Sequence, residues 1–393
     1  MRVGVFLLFM ACLQLHAQQF MDGFIFNSAE KIPVEFASIR LKSDPSVGTV
    51  SNQDGYFKLT IPTHLTSVDS LEISHVNYNS LTIPVASQAA VSQKFFLKES
   101  VIELGEVSVV GKEDLKAFND IVNATKASLS LPMTCSVYYR ELVQGNKEYN
   151  KYADALLTVG FDKQGEDRDL VVKVDQCRAF QLPKSEDDKF ELVSPVKIEL
   201  VLGYAFADFL NRFKRENQDF HFYFFKDVQG GGTLLVEPKK EATKVEDRIL
   251  YRATIKTDAN FFIKEVALEL DTTSRFEKSL LGLRYGITNS KIFLTFNTSG
   301  SKTYLSSARV DFRMKFSTKK FQQVQNFVSE FVVLKSQPVK FETKGSYRKA
   351  SLYKHGTKFD FEFWKGNNLP IFSEKESELF TKLESQGKVD NSK

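Results

Sequence analysis

Residues 48–62 read GTVSNQDGYFKLTIP, and the fold of the N-terminal part of the chain turns on what they are. Phe57, Leu59 and Ile61 fall on one side of an extended chain, with Tyr56, Lys58 and Thr60 on the other. That period of two marks a half-buried strand. Pro62 ends the run because it has no N–H to give a ladder. Before it, Ser51 and Asp54 carry oxygens that bond nearby backbone, and Gly55 takes positive φ without steric cost. The spacing predicts a hairpin joining two strands. A calcium loop is the rival reading, since Asn52 and Asp54 bring oxygen ligands, but such loops need several carboxylates at fixed offsets and this one has a single Asp.

The same alternation recurs on both sides. MDGFIFN (21–27), VEFASIRL (34–41), SLEISHV (70–76), SLTIPV (80–85), KFFLK (94–98) and ELGEVSVV (103–110) read as strands separated by polar turns, one initiated by Asp44-Pro45. Short strands at such regular spacing predict a β-sandwich.

Several positions in this region also match a known family in order: Gly23, Pro33, Ala37-Ser38-Ile39, Gly48-Thr49, Asn52, Asp54-Gly55, Phe57, Leu59, Ile61-Pro62 and Leu71-Glu72-Ile73-Ser74. Residues 20–100 thereby resemble the carboxypeptidase-like regulatory domain, a transthyretin-like β-sandwich of secreted proteins in Gram-negative envelopes. Where that family usually has Gly-Tyr after Ile-Ser, this chain has Asn77-Tyr78, and Asn is among the residues that tolerate a left-handed conformation. GEVSVVG resembles the family's exit strand. The resemblance implies an accessory sandwich and no reaction of its own.

Beyond it, residues 113–129 (EDLKAFNDIVNATKASL) predict a helix with Leu115, Phe118, Ile121 and Val122 on one face, ended by Pro132. Long alternating runs rich in aromatics follow. One interior helix is predicted over residues 202–217 and a terminal one after Ser373 as N-cap. The fold class is mainly β: an N-terminal seven-stranded β-sandwich and a larger, curved antiparallel β-sheet domain with a few helices. The expected organisation is a signal peptide at 1–17, the sandwich at 18–111, a linker helix at 112–132, the large β domain at 133–372, and a C-terminal helix and polar tail at 373–393. YRELVQGNKEYNKYADALL and FWKGNNLP resemble blocks of an uncharacterised β-rich region found behind this sandwich in other envelope proteins, which implies no known activity. A transmembrane barrel is disfavoured, because Lys173, Asp175, Lys264 and Glu265 interrupt any lipid-facing series.

Arg2, the apolar run Val3–Leu13 and Ala17 have the order of a secretory leader, with lipidation at Cys12 as the rival reading. No later segment reaches the ~18 apolar residues of a spanning helix. The formal charge of +4 over 393 residues argues against nucleic acid. The 36 phenylalanines against one tryptophan favour sheets. Cys135 and Cys177 are left as an even pair in an oxidising compartment, either bridged or as two buried thiols.

Catalytic patterns are sought without success. His64, His75, His221 and His355 have no Glu or His three or four residues on, so no zinc half-site is expected. There is no G-x-S-x-G. Gly230-Gly231-Gly232 lacks the Lys-Ser/Thr of a phosphate loop and reads as a hairpin. Glu141 and Asp154, both in strands, are the one carboxylate pair singled out for glycoside chemistry, and the acidic loop at 165–169 is a candidate weak cation site. No catalytic, cofactor or metal residue is assigned. The expectation is an exported, periplasmic, outer-membrane-associated or secreted non-catalytic binding or assembly protein with an envelope protein or glycan as partner. The alternatives are a carrier of an apolar ligand such as lipid, in a pocket lined by DFHFYFFKDV and FFIKEVALEL, and a carboxylate-based hydrolase.

Overall fold

The computed structural model describes residues 19–62, 69–85, 92–100, 111–145, 148–163, 169–181, 198–227, 230–245, 248–271, 276–342, 347, 352, 364 and 369–386. The leader expected at 1–17, Cys12 and the acidic tip at 165–168 lie outside them, as do His64, His355 and the exit strand.

Seven strands build the N-terminal sandwich: β1 (Gln19–Asn27), β2 (Ser38–Leu41), β3 (Gly48–Val50), β4 (Tyr56–Ile61), β5 (Ser70–Ser74), β6 (Leu81–Pro84) and β7 (Gln93–Leu97). One sheet runs β4-β1-β7 and the other β3-β2-β5-β6. Ile25, Ile39, Leu41, Phe57, Leu59, Leu71 and Ile73 fill the space between them.

The opening stretch is therefore not a hairpin. β3 pairs with β2 while β4 pairs with β1, so residues 51–55 carry the chain from one sheet to the other. Asn52, rather than Asp54, organises the turn: its Oδ1 accepts the N–H groups of Asp54 and Tyr56, both at 2.9 Å. Gly55 sits at φ 74°, and a Cβ there would lie 2.3 Å from the carbonyl oxygen of Ile25. Both the conformation and the close approach require glycine. VEFASIRL is likewise only half strand. Phe36 has φ 58°, which bends the chain before β2 and turns the Phe36 ring out of the sandwich against Val332 of the large sheet.

The second part is one 11-stranded sheet. Its strands are β8 (Met133–Gly145), β9 (Glu148–Asp162), β10 (Asp169–Gln181), β11 (Phe220–Lys226), β12 (Gly232–Pro238), β13 (Tyr251–Thr257), β14 (Ile263–Leu270), β15 (Glu277–Leu280), β16 (Leu283–Ser299), β17 (Lys302–Ser317) and β18 (Gln322–Gln337). The order is β10-β9-β8-β18-β17-β16-β14-β13-β12-β11, with β15 paired to β16, and every pairing is antiparallel. The path has two ends and does not close on itself among the described residues.

Helices cover the apolar face. α1 (Lys112–Ser128) buries Phe118, Ile121 and Val122 in the large core, leaving Leu115 at the rim. The interior helix predicted at 202–217 is broken into α2 (Ile198–Leu202), a 3₁₀ turn (Gly203–Phe206) and α3 (Asp208–Arg215). The break is at Ala207, buried with φ 52°. It lets Leu202, Phe206, Leu210 and Phe213 all reach the core. α5 (Glu374–Gln386), which follows the single turn α4 (Lys240–Thr243), lies on the opposite face. Ser373 caps α5 as predicted: its Oγ accepts the Glu376 N–H at 3.1 Å, and the Glu376 carboxylate accepts the Ser373 N–H at 2.8 Å.

Candidate functional site

The face of the sheet under α5 carries a row of alternating charge. Cross-strand register places Arg178 opposite Asp154, Asp154 opposite Arg140, Arg140 opposite Glu330, and Glu330 opposite Arg309, across β10, β9, β8, β18 and β17. Arg178 pairs with Asp154, Arg140 with Glu330, and Arg309 with Glu330 at 2.7 Å. The row continues into both neighbours. Glu35 of the sandwich reaches Arg309 at 3.1 Å, and Glu376 of α5 reaches Arg140 at 3.1 Å. Burial pushes the Glu330 carboxyl up, but Arg140 and Arg309 outweigh it and hold it below the usual carboxylate range. The row is a three-way junction, with Arg140, Asp154, Arg309 and Glu330 all buried.

A groove of about 520 Å³ opens between the outer face of β2, β5 and β6 and strands β12, β13, β14 and β16. Its walls are hydroxyls, amides and charges, among them Ser74, Thr82, Asn79, Thr233 and Thr295. Asn297 ties the two walls by donating to the Pro45 carbonyl at 2.7 Å, and Lys256 does so by donating to the Tyr78 carbonyl at 2.6 Å. Arg40 lines this groove. Strand alternation puts it outside the sandwich core, while Ile39 and Leu41 point inward. It is 7% exposed. Its Nε donates to Ser38 Oγ at 3.0 Å and its Nη1 to the Pro45 carbonyl at 2.9 Å, while Nη2 has no partner. Its cross-strand neighbour Glu72 is engaged by Lys264 at 3.8 Å instead. No carboxylate lies within ion-pair distance of Arg40 among the described residues. Burial lowers its pKa to about 10. Gly48 makes room for it, since a Cβ there would come within 2.8 Å of the Arg40 Cγ.

A second cavity, of about 320 Å³, lies between the broken helix and the sheet, lined by Phe209, Phe213, Phe220, Tyr251, Leu268 and Ile292 with Arg212 at its polar end. Phe220 and Leu268 come from the two segments that the sequence marks as pocket-lining.

Other sequence candidates are not brought together. Glu141 faces Ala153 and Asp154 faces Arg140, so the two carboxylates point to opposite sides of the sheet and cannot flank one bond. Cys135 and Cys177 are free. They sit on β8 and β10 with β9 between, and two strand spacings are ~10 Å, beyond disulfide reach. Burial raises the Cys135 thiol to about 12, which makes it inert as a nucleophile near neutral pH. His75 is held near 4 by burial and the adjacent Lys256. Among the described residues no group of three His, Cys, Asp or Glu has the geometry for a metal. Gly230–Gly232 turns β11 into β12. Of the charged row the sequence singles out Asp154 alone, and with Glu141 rather than its true partners; Arg40, Arg140, Arg178, Arg309 and Glu330 carry no local signal, and only the register unites the row.

Residues 21–109 match the family model of the CarboxypepD_reg-like domain, and the sandwich is that domain. The match ends where the helix-covered sheet begins. No curated protein matches the chain in sequence. Three solved structures show a distant likeness. A DUF1329 family protein from Desulfovibrio piger is 7% identical, over 56% of this chain and 92% of that one, with a TM-score of 0.27. A domain assigned to outer membrane lipoprotein sorting in Vibrio parahaemolyticus is 9% identical, over 62% and 98%, with a TM-score of 0.28. Lipovitellin, in a structure of its lipid–protein interactions, is 11% identical over 58% of this chain and 28% of its own, with a TM-score of 0.26. TM-scores of this size do not establish a common fold.

Proposed function

We propose that the protein is a non-catalytic binding protein of the cell envelope, and that it holds an acidic glycan in the groove between the sandwich and the large sheet. The observation that carries this reading is Arg40: a buried guanidinium with an unpartnered nitrogen and, among the described residues, no carboxylate within ion-pair distance, on the wall of a groove lined by hydroxyls, amides and charges of both signs. A buried charge without a counter-ion is costly, and a carboxylate or phosphate entering the groove compensates it. Hydroxyl-bearing walls then match the remainder of a sugar. The envelope assignment rests on the leader read at residues 1–17 and on the company that the CarboxypepD_reg-like domain keeps.

Isothermal titration with an oligogalacturonate, its methyl ester and glucose 6-phosphate tests this. The acidic oligomer is expected to bind, its ester to bind at least about tenfold more weakly, and Arg40→Gln to remove the difference. Absence of binding by all three probes, or equal affinity for acid and ester, sinks the reading. Carriage of an apolar ligand is the second reading, supported by the aromatic-lined cavity of about 320 Å³ with Leu200 60% exposed at its rim. A gain of fluorescence from an apolar dye, lost in Leu268→Trp, checks it.

A further inference from the structure

The turn between β15 and β16 breaks two rules at once. Leu280 pairs with Leu283, leaving Leu281 and Gly282 as a two-residue hairpin loop. Both have positive φ, 49° and 82°. That turn favours Asn-Gly or Asp-Gly, because a branched apolar side chain is strained there. Leu281 is 100% exposed and Leu280 is 63% exposed. Among the described residues, the most exposed large apolar side chain thus sits where neither backbone sterics nor solvation supports it.

The surroundings of the tip are one-sided in charge. Arg284 pairs in register with Ser317, which sets the β17–β18 turn beside the β15–β16 turn. Over residues 276–286 and 315–322 the cations are Lys278, Arg284, Lys315, Lys319 and Lys320, all exposed, and the single acid is Glu277, 4.0 Å from Arg284. A leucine tip with a collar of lysines and arginine is complementary to a lipid surface with anionic headgroups: the leucines enter the acyl boundary while the cations stay at headgroup level. A protein pocket would also accept the leucines, but it gives no reason for five cations around them.

We infer that the β15–β16 hairpin, with the adjoining β17–β18 turn, is a membrane-surface contact that inserts Leu280 and Leu281 into an anionic leaflet. It does not depend on what the groove binds. The contact is peripheral, since no helix among the described residues is long and apolar enough to cross a membrane. Its strength comes from two terms that can be separated. Each cation contributes about fivefold to partitioning onto an anionic surface, and that part is screened by salt. The leucines contribute a salt-independent part.

Co-sedimentation with vesicles of phosphatidylcholine alone, or of phosphatidylcholine with phosphatidylglycerol, tests the inference on the purified protein. The expected result is pelleting with the mixed vesicles and weak pelleting with phosphatidylcholine. Lys319→Glu with Lys320→Glu should cost at least about tenfold in partitioning. Leu281→Asn is the decisive variant. Asn accepts positive φ, so the melting temperature should hold or rise while vesicle binding falls, which no folding defect can mimic. Absence of binding by the unmodified protein overturns the inference, and so does full vesicle binding by a Leu280→Ser, Leu281→Asn double variant.

Discussion

The two faces of the large sheet solve the same burial problem in opposite ways. Under α1 and α2–α3 the face is dry: Val137, Tyr139, Leu157, Cys177, Phe331 and their neighbours form one apolar cluster. On the other face, at adjacent positions of the same strands, Arg140, Asp154, Arg309 and Glu330 are equally inaccessible, each at 5% exposure or less. Tyr138 and Tyr152 join them, both donating to Asp154, and Trp364 stacks on Arg178. The dry face is covered by α1, which immediately precedes β8, and by α2–α3, which lie between β10 and β11. The charged face is covered by the sandwich and α5, which meet it through apolar patches (Phe36 on Val332, Leu379 and Phe380 beside Leu142 and Tyr152) and also through ion pairs from Glu35 and Glu376. Hydrophobic burial holds a helix down without caring much about register. A row of paired charges accepts its neighbours in one arrangement only, at a cost in desolvation.

Breaking the charged row should give the largest effect. Glu330→Ala leaves Arg140 and Arg309 buried without their shared carboxylate, and a loss of about 3–5 kcal/mol is expected in urea unfolding. Replacing Arg140, Glu330 and Arg309 together by Met, Leu and Met, with Glu376→Gln so that no buried carboxylate loses its ion pair, should recover most of it, because the desolvation cost disappears with the charges. Such a variant less stable than Glu330→Ala would mean that the row contributes net stability, against that expectation. The acid limb follows from the same carboxylate. Its folded pKa is depressed, so its contribution is complete above the ordinary Glu value of 4.5 and is lost as pH falls through the folded one.

Glu141 sharpens the comparison from the dry side, where it is a lone carboxyl. Its Oε2 accepts from Tyr139 at 3.2 Å, its Oε1 has no partner, and burial raises its pKa from 4.5 to about 8. Here the sign is reversed. The folded protein keeps a proton that the unfolded chain releases, so the contribution is complete below 4.5 and fades as pH rises to about 8. Glu141→Gln should therefore gain on the unmodified protein across that interval, by several kcal/mol at its upper end, and hold level beyond it. Thermal melts at closely spaced pH values read this directly. A constant offset at every pH would mean that the carboxyl is ionised and finds charge compensation on the dry face.

What could be read in the sequence divides along the same line. The sandwich strands, the helix at 112–128 and the Ser373 cap follow from local periodicity and capping chemistry, and the structure has them. The 51–55 turn joins two sheets where a hairpin is expected, because alternation names a strand but not its sheet. VEFASIRL and the helix through Ala207 were read as continuous because positive φ at Phe36 and Ala207 is imposed by tertiary packing and leaves no mark in either residue type. The charged row, Asp154 apart, leaves no mark in the sequence for a stronger reason. Its five members are scattered between Arg140 and Glu330, and each, taken alone, looks like a polar residue on a solvated strand face. The same holds for Arg40, which only the second wall of the groove makes unusual.

The smallest predicted effect tests whether the two ends of the chain meet on the charged face as described. Asp54, in the 51–55 turn, does more than turn the chain: its Oδ2 accepts the N–H of Glu374 at 2.8 Å, joining the sandwich to the first residue of α5. That end of a helix has unsatisfied donors and a partial positive charge, so a carboxylate is well placed there. The contact is exposed, and Asp54→Ala should cost only about 0.5–1.5 kcal/mol. Glu374→Pro deletes the same hydrogen bond from the other side without breaking the helix, since proline is tolerated at a first helical position and the N–H is what it lacks. If the contact exists, the two substitutions remove one bond between them: either alone should have the same effect, and the double variant should be no worse than the single ones. Additive costs in urea melts would mean that Asp54 and Glu374 act separately, and that the sandwich is fastened to the sheet through Glu35 and Arg309 without help from α5.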